Sequence, residues 1–394
     1  MHEYVLAVLG IGLLAATAQA AAWQELPPVD QLPVIQDLPD PFVFSDGSRV
    51  KTKEDWARRR EEIKAQVLYY EYGHWPPAPG NVTGKELSSK DNADLGAAEK
   101  QILLTMGPDK KVEIHLDLTI PAGKSGPLPV VVKGDLCWGK VAAKAPKAIK
   151  DIIKRGYVLA EFDRTELAPD SKDRTKGVYP VYPDYDWAAE AAWAWGFQRV
   201  VDYLLTQDFV DTKHIAITGH SRGGKGALLA GAFDERVALV APNGSGAGGA
   251  GLHRIVHPKG ETTKRIVTVF PFWFNPRMAT FLDKETRLPF DQHSVRALCA
   301  PRAHLCTEAL DDLWANPTGT QQGYLAAKEV YDFLGASDRI GIHYRPGKHE
   351  QNAEDWAALL DFADKVFFGK AATRKFDQLT EPDMKKAFSW SAPK

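Results

Sequence analysis

From Leu128 onward the chain alternates short apolar runs with longer amphipathic stretches. Leu128–Lys133, Tyr157–Phe162, His214–Gly219, Val237–Pro242, Ala303–Leu310 and Ile340–Tyr344 read as strands. Lys144–Arg155, Trp187–Thr206, Gly226–Phe233, Gly323–Gly335 and Ala353–Phe368 read as helices. Strands of this kind alternating with helices predict a mostly parallel sheet with helices on both faces, an α/β class fold of three layers. Upstream, residues 98–120 carry a hairpin pattern with Gly107-Pro108-Asp109 as the turn, and residues 53–72 are helical in pattern. The charge run Arg58-Arg59-Arg60-Glu61-Glu62 suits a solvated helix face. Residues 21–50, rich in proline and aspartate, read as an extended arm. With no internal repeat and no long linker, one domain over residues 21–394 with this arm at its start is the expectation.

The first twenty residues stand apart. Tyr4 to Ala16 is apolar and Ala18-Gln19-Ala20 offers small side chains for cleavage, the pattern of a secretory signal over residues 1–20, although His2 and Glu3 stand where basic residues are usual. The run is short for a membrane span. Secretion, or export to a periplasm, is therefore expected. The formal net charge of −2 gives no support for nucleic-acid or membrane-surface binding. Cys137, Cys299 and Cys306 are too few for a disulfide framework and match no zinc spacing, although one disulfide stays open. A monomer is expected.

The chemistry concentrates at Gly219-His220-Ser221-Arg222-Gly223-Gly224-Lys225. An apolar strand precedes it and a small-residue helix follows, the setting of a nucleophile elbow, in which G-x-S-x-G turns a serine above the sheet of an α/β-hydrolase. Such a turn places Ser221 Oγ at a helix N-terminus, where backbone N–H groups stabilise an oxyanion. The Arg222 N–H is the expected oxyanion donor, and its side chain can add a second, since no HGGG-type loop follows Lys133. Lys225, one helical turn after Ser221, either faces an anionic or hydroxyl-rich substrate or snorkels to solvent.

A serine nucleophile needs a base and an acid, in the chain order Ser, acid, His on this fold. His349 follows the last strand in a turn and is the preferred base, while His343 lies within that strand. The acid is expected after Ala303–Leu310. Asp312 is favoured, with Asp311 and then Glu308 as alternatives. His220 is expected to pack beneath the elbow.

These residues resemble a known family. The elbow is similar to the G-[CH]-S-R-x-G-K elbow of glucuronoyl esterases, carbohydrate esterase family 15. Tyr70-Glu71-Tyr72-Gly73-His74-Trp75-Pro76, Ala192-Trp193-Ala194-Trp195-Gly196, Leu288-Pro289-Phe290-Asp291-Gln292-His293, Ala300-Pro301-Arg302 and Asp312-Leu313-Trp314-Ala315-Asn316-Pro317 resemble further segments of it. The resemblance implies an α/β-hydrolase that cleaves esters of glucuronic or 4-O-methylglucuronic acid, the linkage proposed to join lignin alcohols to glucuronoxylan. It implies Ser221 as nucleophile, His349 as base, Arg222 at the oxyanion hole, Lys225 on sugar hydroxyls and Trp314 lining the sugar site. It also implies that no metal or organic cofactor is needed and that the alcohol projects toward solvent. One segment departs. Where many members carry the acid as glutamate in P-x-E-S-G-x-G-G, this chain reads Pro242-Asn243-Gly244-Ser245-Gly246-Ala247-Gly248-Gly249. Gly244 cannot serve as an acid, and some bacterial members carry it in the later loop, in agreement with Asp312. Two other readings remain open: an acetyl xylan esterase or other carbohydrate esterase, and a non-catalytic glycan-binding protein on a hydrolase scaffold.

Overall fold

The structure, a computed structural model, describes residues 25–393. The expected signal segment lies outside the described residues. Nine strands form one sheet: β1 (Thr83–Asn92), β2 (Ala97–Met106), β3 (Val112–Pro121), β4 (Leu128–Lys133), β5 (Val158–Phe162), β6 (Val210–His220), β7 (Leu239–Asn243), β8 (Ala303–Ala309) and β9 (Ile340–Arg345). Their spatial order is β1-β2-β3-β5-β4-β6-β7-β8-β9. The first three strands are antiparallel to their neighbours and β3 meets β5 antiparallel; every pair from β5 to β9 is parallel. The helices are α1 (Lys53–Val67), α2 (Val141–Lys144), α3 (Pro146–Arg155), α4 (Ala189–Leu204), α5 (Arg222–Phe233), α6 (Thr263–Val269), α7 (Gln292–Ala297), α8 (Pro317–Leu334) and α9 (Ala353–Phe368).

Strand alternation sends neighbouring residues into two separate cores. Val130 and Val132 of β4 and Ile215 and Ile217 of β6 pack with Trp193 and Val200 of α4, Leu228 of α5 and Val330 of α8. Val131, Ala216 and Leu305 face the other way, against Ile149 and Ile152 of α3 and Trp356, Leu359 and Phe362 of α9. The i, i+3, i+4 spacing of these side chains gives each helix an apolar stripe. The fold is therefore the expected sandwich of helices, sheet and helices.

The order β5-β4-β6 reverses the direction of progress through the sheet at β4. Such a reversal opens a crevice at the C-terminal ends of the strands. The loop after β4 and the elbow after β6 meet there.

Several elements differ from the sequence reading. Strand β1 has no sequence signal because nine of its ten residues are exposed, so no apolar alternation marks it. Helix α8 starts at Pro317 rather than at Gly323; Asn316 caps it by accepting the Gly319 N–H, a function its loop-like sequence conceals. The stretch between β7 and β8 holds α6 and α7, both short. All three cysteines are free, Cys299 and Cys306 buried. No helix among the described residues is long and apolar enough to cross a membrane.

Candidate active site

Ser221 sits between β6 and α5 at φ 55 and ψ −122, outside the ordinary regions for a side-chain-bearing residue. Its N–H donates to the Asn243 carbonyl at 2.9 Å. The surrounding glycines are required by contact. A Cβ on Gly219 would lie 2.2 Å from the Gly223 carbonyl oxygen, and one on Gly223 would lie 1.8 Å from Asp135 Oδ1. The G-x-S-x-G pattern is thus the steric condition for this turn.

Asp135, in the loop after β4, braces the elbow from below. It is 2 % exposed and accepts from Lys133 Nζ at 2.5 Å, Arg164 Nη1 at 2.6 Å and the His220 N–H at 2.8 Å. Burial opposes its charge, but the two cations and this N–H hold its pKa below the usual carboxylate value.

The candidate base and the candidate acid arrive on adjacent loops at the same end of the sheet. His349 Nδ1 pairs with Asp312 Oδ2 at 2.6 Å. Asp312 is 4 % exposed and its second oxygen accepts the Ala315 N–H at 3.3 Å. The two loops are sewn together: the Asp311 N–H donates to the Gly347 carbonyl at 3.0 Å, and the Gly347 N–H to Asp311 Oδ2 at 3.2 Å. Beneath the His349 loop the buried Arg345 donates to the carbonyls of Pro346, Lys348 and Glu350 and pairs with Asp355 at 2.7 Å. Of the three acid candidates the structure therefore brings Asp312 to His349. Asp311 ties the loops instead. Glu308 is fully buried on β8, near Thr320 Oγ1 at 3.3 Å, and burial followed by the Asp312 charge raises its pKa well above normal. His343 points to Glu354, away from Asp312.

His220 does not lie beneath the elbow. Its ring packs on that of His349, centroids 4.4 Å apart, with Nδ1 2.6 Å from Asn243 Oδ1. Burial first, then His349 and Lys133, push its pKa down to about 4, so it is neutral near pH 7. Gly244 lies within the same cluster. A Cβ there would be 3.6 Å from Asp312 Oδ2. The two alternative acid positions of the resemblance thus converge on one point in space.

Arg222 occupies the first position of α5 with its guanidinium held in place. Nη1 pairs with Asp170 at 2.5 Å, and the group lies 4.5 Å from the Trp273 ring centroid. Trp273 Nε1 in turn donates to the other Asp170 oxygen at 2.8 Å. A cation fixed this way beside Ser221 is preorganised for developing negative charge.

Lys225 does not snorkel. It is 2 % exposed and donates to the carbonyls of Ser245 and Ala247, each at 2.6 Å, and to Glu261 Oε2 at 3.1 Å. The Glu261 N–H donates to the Trp314 carbonyl at 2.9 Å, which joins the Lys225–Glu261 pair to the loop after Asp312. Trp314 itself is 42 % exposed. Sequence reasoning missed Asp135, Asp170, Glu261 and Arg345. Each is a single charged residue in a loop or at a strand end, and only tertiary contacts give it a role. Among the described residues no group of three or more His, Cys, Asp or Glu side chains could hold a metal ion.

Comparison with known proteins agrees with this arrangement. The family model of the fungal glucuronyl esterases matches residues 104–335. A carbohydrate esterase from an unknown prokaryotic organism is 33 % identical, over 85 % of this chain and 90 % of that protein. A 4-O-methyl-glucuronoyl methylesterase from Phanerochaete carnosa is 30 % identical, over 87 % of this chain and 84 % of that protein. Among solved structures, the family 15 glucuronoyl esterase of Caldicellulosiruptor kristjansonii superposes with a TM-score of 0.76 at 30 % identity, covering 92 % of this chain and 99 % of that one. With its elbow, acid loop and base loop assembled on this sheet, the chain belongs to the glucuronoyl esterases, carbohydrate esterase family 15, and is a carboxylic ester hydrolase of α/β-hydrolase fold.

Proposed function

We propose that this chain hydrolyses esters of glucuronic or 4-O-methylglucuronic acid through an acyl-enzyme on Ser221. The observation that carries this reading is the pairing of His349 with the buried Asp312 beside the strained Ser221 elbow. His349 accepts the Ser221 proton as Oγ attacks the C6 carbonyl of the uronate. The tetrahedral oxyanion is met by the Arg222 N–H and guanidinium. As the ester C–O bond breaks, the imidazolium returns the proton to the departing alcohol. Water then repeats the sequence on the acyl-enzyme and releases the uronate. Asp312 holds the imidazole tautomer and stabilises the imidazolium. Lys225 fixes Glu261 at the sugar site, and Trp314 offers an exposed ring for the pyranose to stack on.

The substrate is a glucuronoxylan or lignin–carbohydrate ester, acted on by a monomer outside the cytoplasm after removal of residues 1–20. The exported polymer-degrading function fits the apolar run at Tyr4 to Ala16. The test is hydrolysis of methyl glucuronate by the purified protein and by Ser221→Ala, beside acetylated xylan. Uronate release by the native protein alone is expected; acetate release from xylan without uronate release would refute the substrate.

A further inference from the structure

Residues 70–76 carry part of the family resemblance and take no part in the chemistry above. They leave α1 through one π-helical turn, Leu68–Tyr72, in which the Gly73 N–H donates to the Leu68 carbonyl at 2.7 Å. Turns of this kind re-aim the side chains they carry and are frequent at functional sites. Here two consecutive residues are turned inward: Glu71 and Tyr72 are 0 % and 1 % exposed. The Tyr72 hydroxyl donates to the Gly248 carbonyl at 2.6 Å. Gly248 follows Ala247, whose carbonyl accepts from Lys225 Nζ at 2.6 Å. Tyr72 and Lys225 thus grip the same turn of the chain.

Glu71 grips the segment further along. Its Oε1 meets His253 Nε2 at 3.0 Å, and its two oxygens accept from Gln292 Nε2 at 2.9 and 3.0 Å. Both side chains of the His253–Glu71 pair are fully buried. Burial opposes a charge on the His253 ring, but the Glu71 carboxylate, by its charge and its hydrogen bond, raises the pKa above normal. A protonated imidazole donates through both nitrogens. The second one, Nδ1, lies 2.9 Å from Thr263 Oγ1. Thr263 opens α6 two residues after Glu261. The His253 N–H donates to Asp291 Oδ1 at 2.8 Å, so the backbone is fixed there as well.

Residues 247–263, which carry Glu261, are therefore fastened from behind at Gly248, His253 and Thr263. In front, Glu261 meets Lys225 Nζ at 3.1 Å and its N–H holds the Trp314 carbonyl, so its placement sets that of the whole sugar site. A buried ion pair is a weak source of net stability, but it constrains geometry. Asp312 and His349 arrive on other loops, and this path of contacts ends at Glu261 rather than at them.

We propose that Glu71, acting through His253 and Thr263, is a positioning residue for the uronate: it sets Glu261, and its loss weakens capture of the sugar more than it slows bond cleavage. The proposal rests on the reading that seats the uronate at Lys225, Glu261 and Trp314.

The test is a double-mutant cycle read in KM and kcat for methyl glucuronate. Loss of binding that is equal in ground and transition states raises KM and leaves kcat little changed. Glu71→Leu takes away the acceptor that faces His253, and Thr263→Val takes away only the hydroxyl at the far end of the path. Glu261→Gln alone is expected to raise KM by about tenfold or more, and Glu71→Leu by about tenfold with a smaller change in kcat. Thr263→Val is expected to raise KM by about threefold, and it carries the test if Glu71→Leu does not fold. In the Glu261→Gln background either further change should add less than about twofold, because residues that act through one another are not additive. Native KM in the folded variants, or a rise that is the same with and without Glu261, overturns the positioning role and leaves the sugar site standing. A native KM in Glu261→Gln overturns the sugar-site reading and the proposal with it.

Discussion

Replacing Asp312 with asparagine preserves the size of the side chain and removes the charge that faces the base. In the native site one carboxylate oxygen meets His349 Nδ1 at 2.6 Å and the other accepts the Ala315 N–H. Asparagine has one oxygen for these two donors. If it serves Ala315, its NH₂ group faces His349, the proton moves to the outer nitrogen, and the imidazole cannot accept the Ser221 proton. If it serves His349, the tautomer survives but the imidazolium loses its counter-charge. For opposite charges about 4 Å apart at an effective dielectric constant near 20, that loss is about 4 kcal/mol. At about 1.4 kcal/mol per decade this is roughly 10³-fold in rate, and the analogous change in a Ser-His-Asp triad costs about 10⁴. The assay is kcat for methyl glucuronate at a pH where the native rate is flat, with Asp311→Asn and Glu308→Gln as comparisons. Asp311 only ties two loops, and Glu308, on β8 with its pKa raised by burial, faces Thr320, so both are expected within about tenfold of native. Because a Cβ on Gly244 would lie 3.6 Å from Asp312 Oδ2, adding Gly244→Glu to Asp312→Asn is expected to restore part of the lost rate. A fall of less than tenfold in Asp312→Asn, or a larger fall in Asp311→Asn or Glu308→Gln, would refute this assignment.

Three further outcomes follow from the same geometry. Arg222→Ala is expected to lower kcat by about 10²–10³ with a smaller change in KM, and Asp170→Asn, which frees the guanidinium without removing it, by about tenfold; equal effects on kcat and KM would speak against an oxyanion role. Arg345→Met strips the support from the Pro346, Lys348 and Glu350 carbonyls and leaves the buried Asp355 without its cation, so urea unfolding should show a loss of about 3 kcal/mol together with reduced kcat. For His220 the folded pKa is depressed from 6.5 to about 4, so between those values the unfolded chain binds a proton that the folded one does not, and stability falls as pH drops through that window. His220→Gln should remove up to about 1.4 kcal/mol per pH unit of that slope, read from urea midpoints between pH 6.5 and 4.

The parts of this site that the sequence announces are those where local sterics dictate residue type. Gly219 and Gly223 are forced by contacts of 2.2 and 1.8 Å, so the elbow is written into five consecutive positions. His349 and Asp312 are legible by their place after late strands, because this topology delivers acid and base there. Lys225 shows the limit of such reading. Its helical spacing is plain in the chain, but its three acceptors come from the segment after β7 and from Glu261, which no periodicity marks. Asp170 and Arg345 acquire meaning only when the loops meet. The fold shows the same division. The parallel strands were visible as apolar runs because both of their faces are buried, whereas β1, exposed along most of its length, was not.

The most direct test of the central claim is to quench the protein with acid during turnover of benzyl glucuronate and weigh it. Intact mass should rise by one glucuronoyl group, and the label should map to the peptide carrying Ser221 and be absent from Ser221→Ala. Steady uronate release with no adduct on Ser221, or with release retained in Ser221→Ala, would contradict the account.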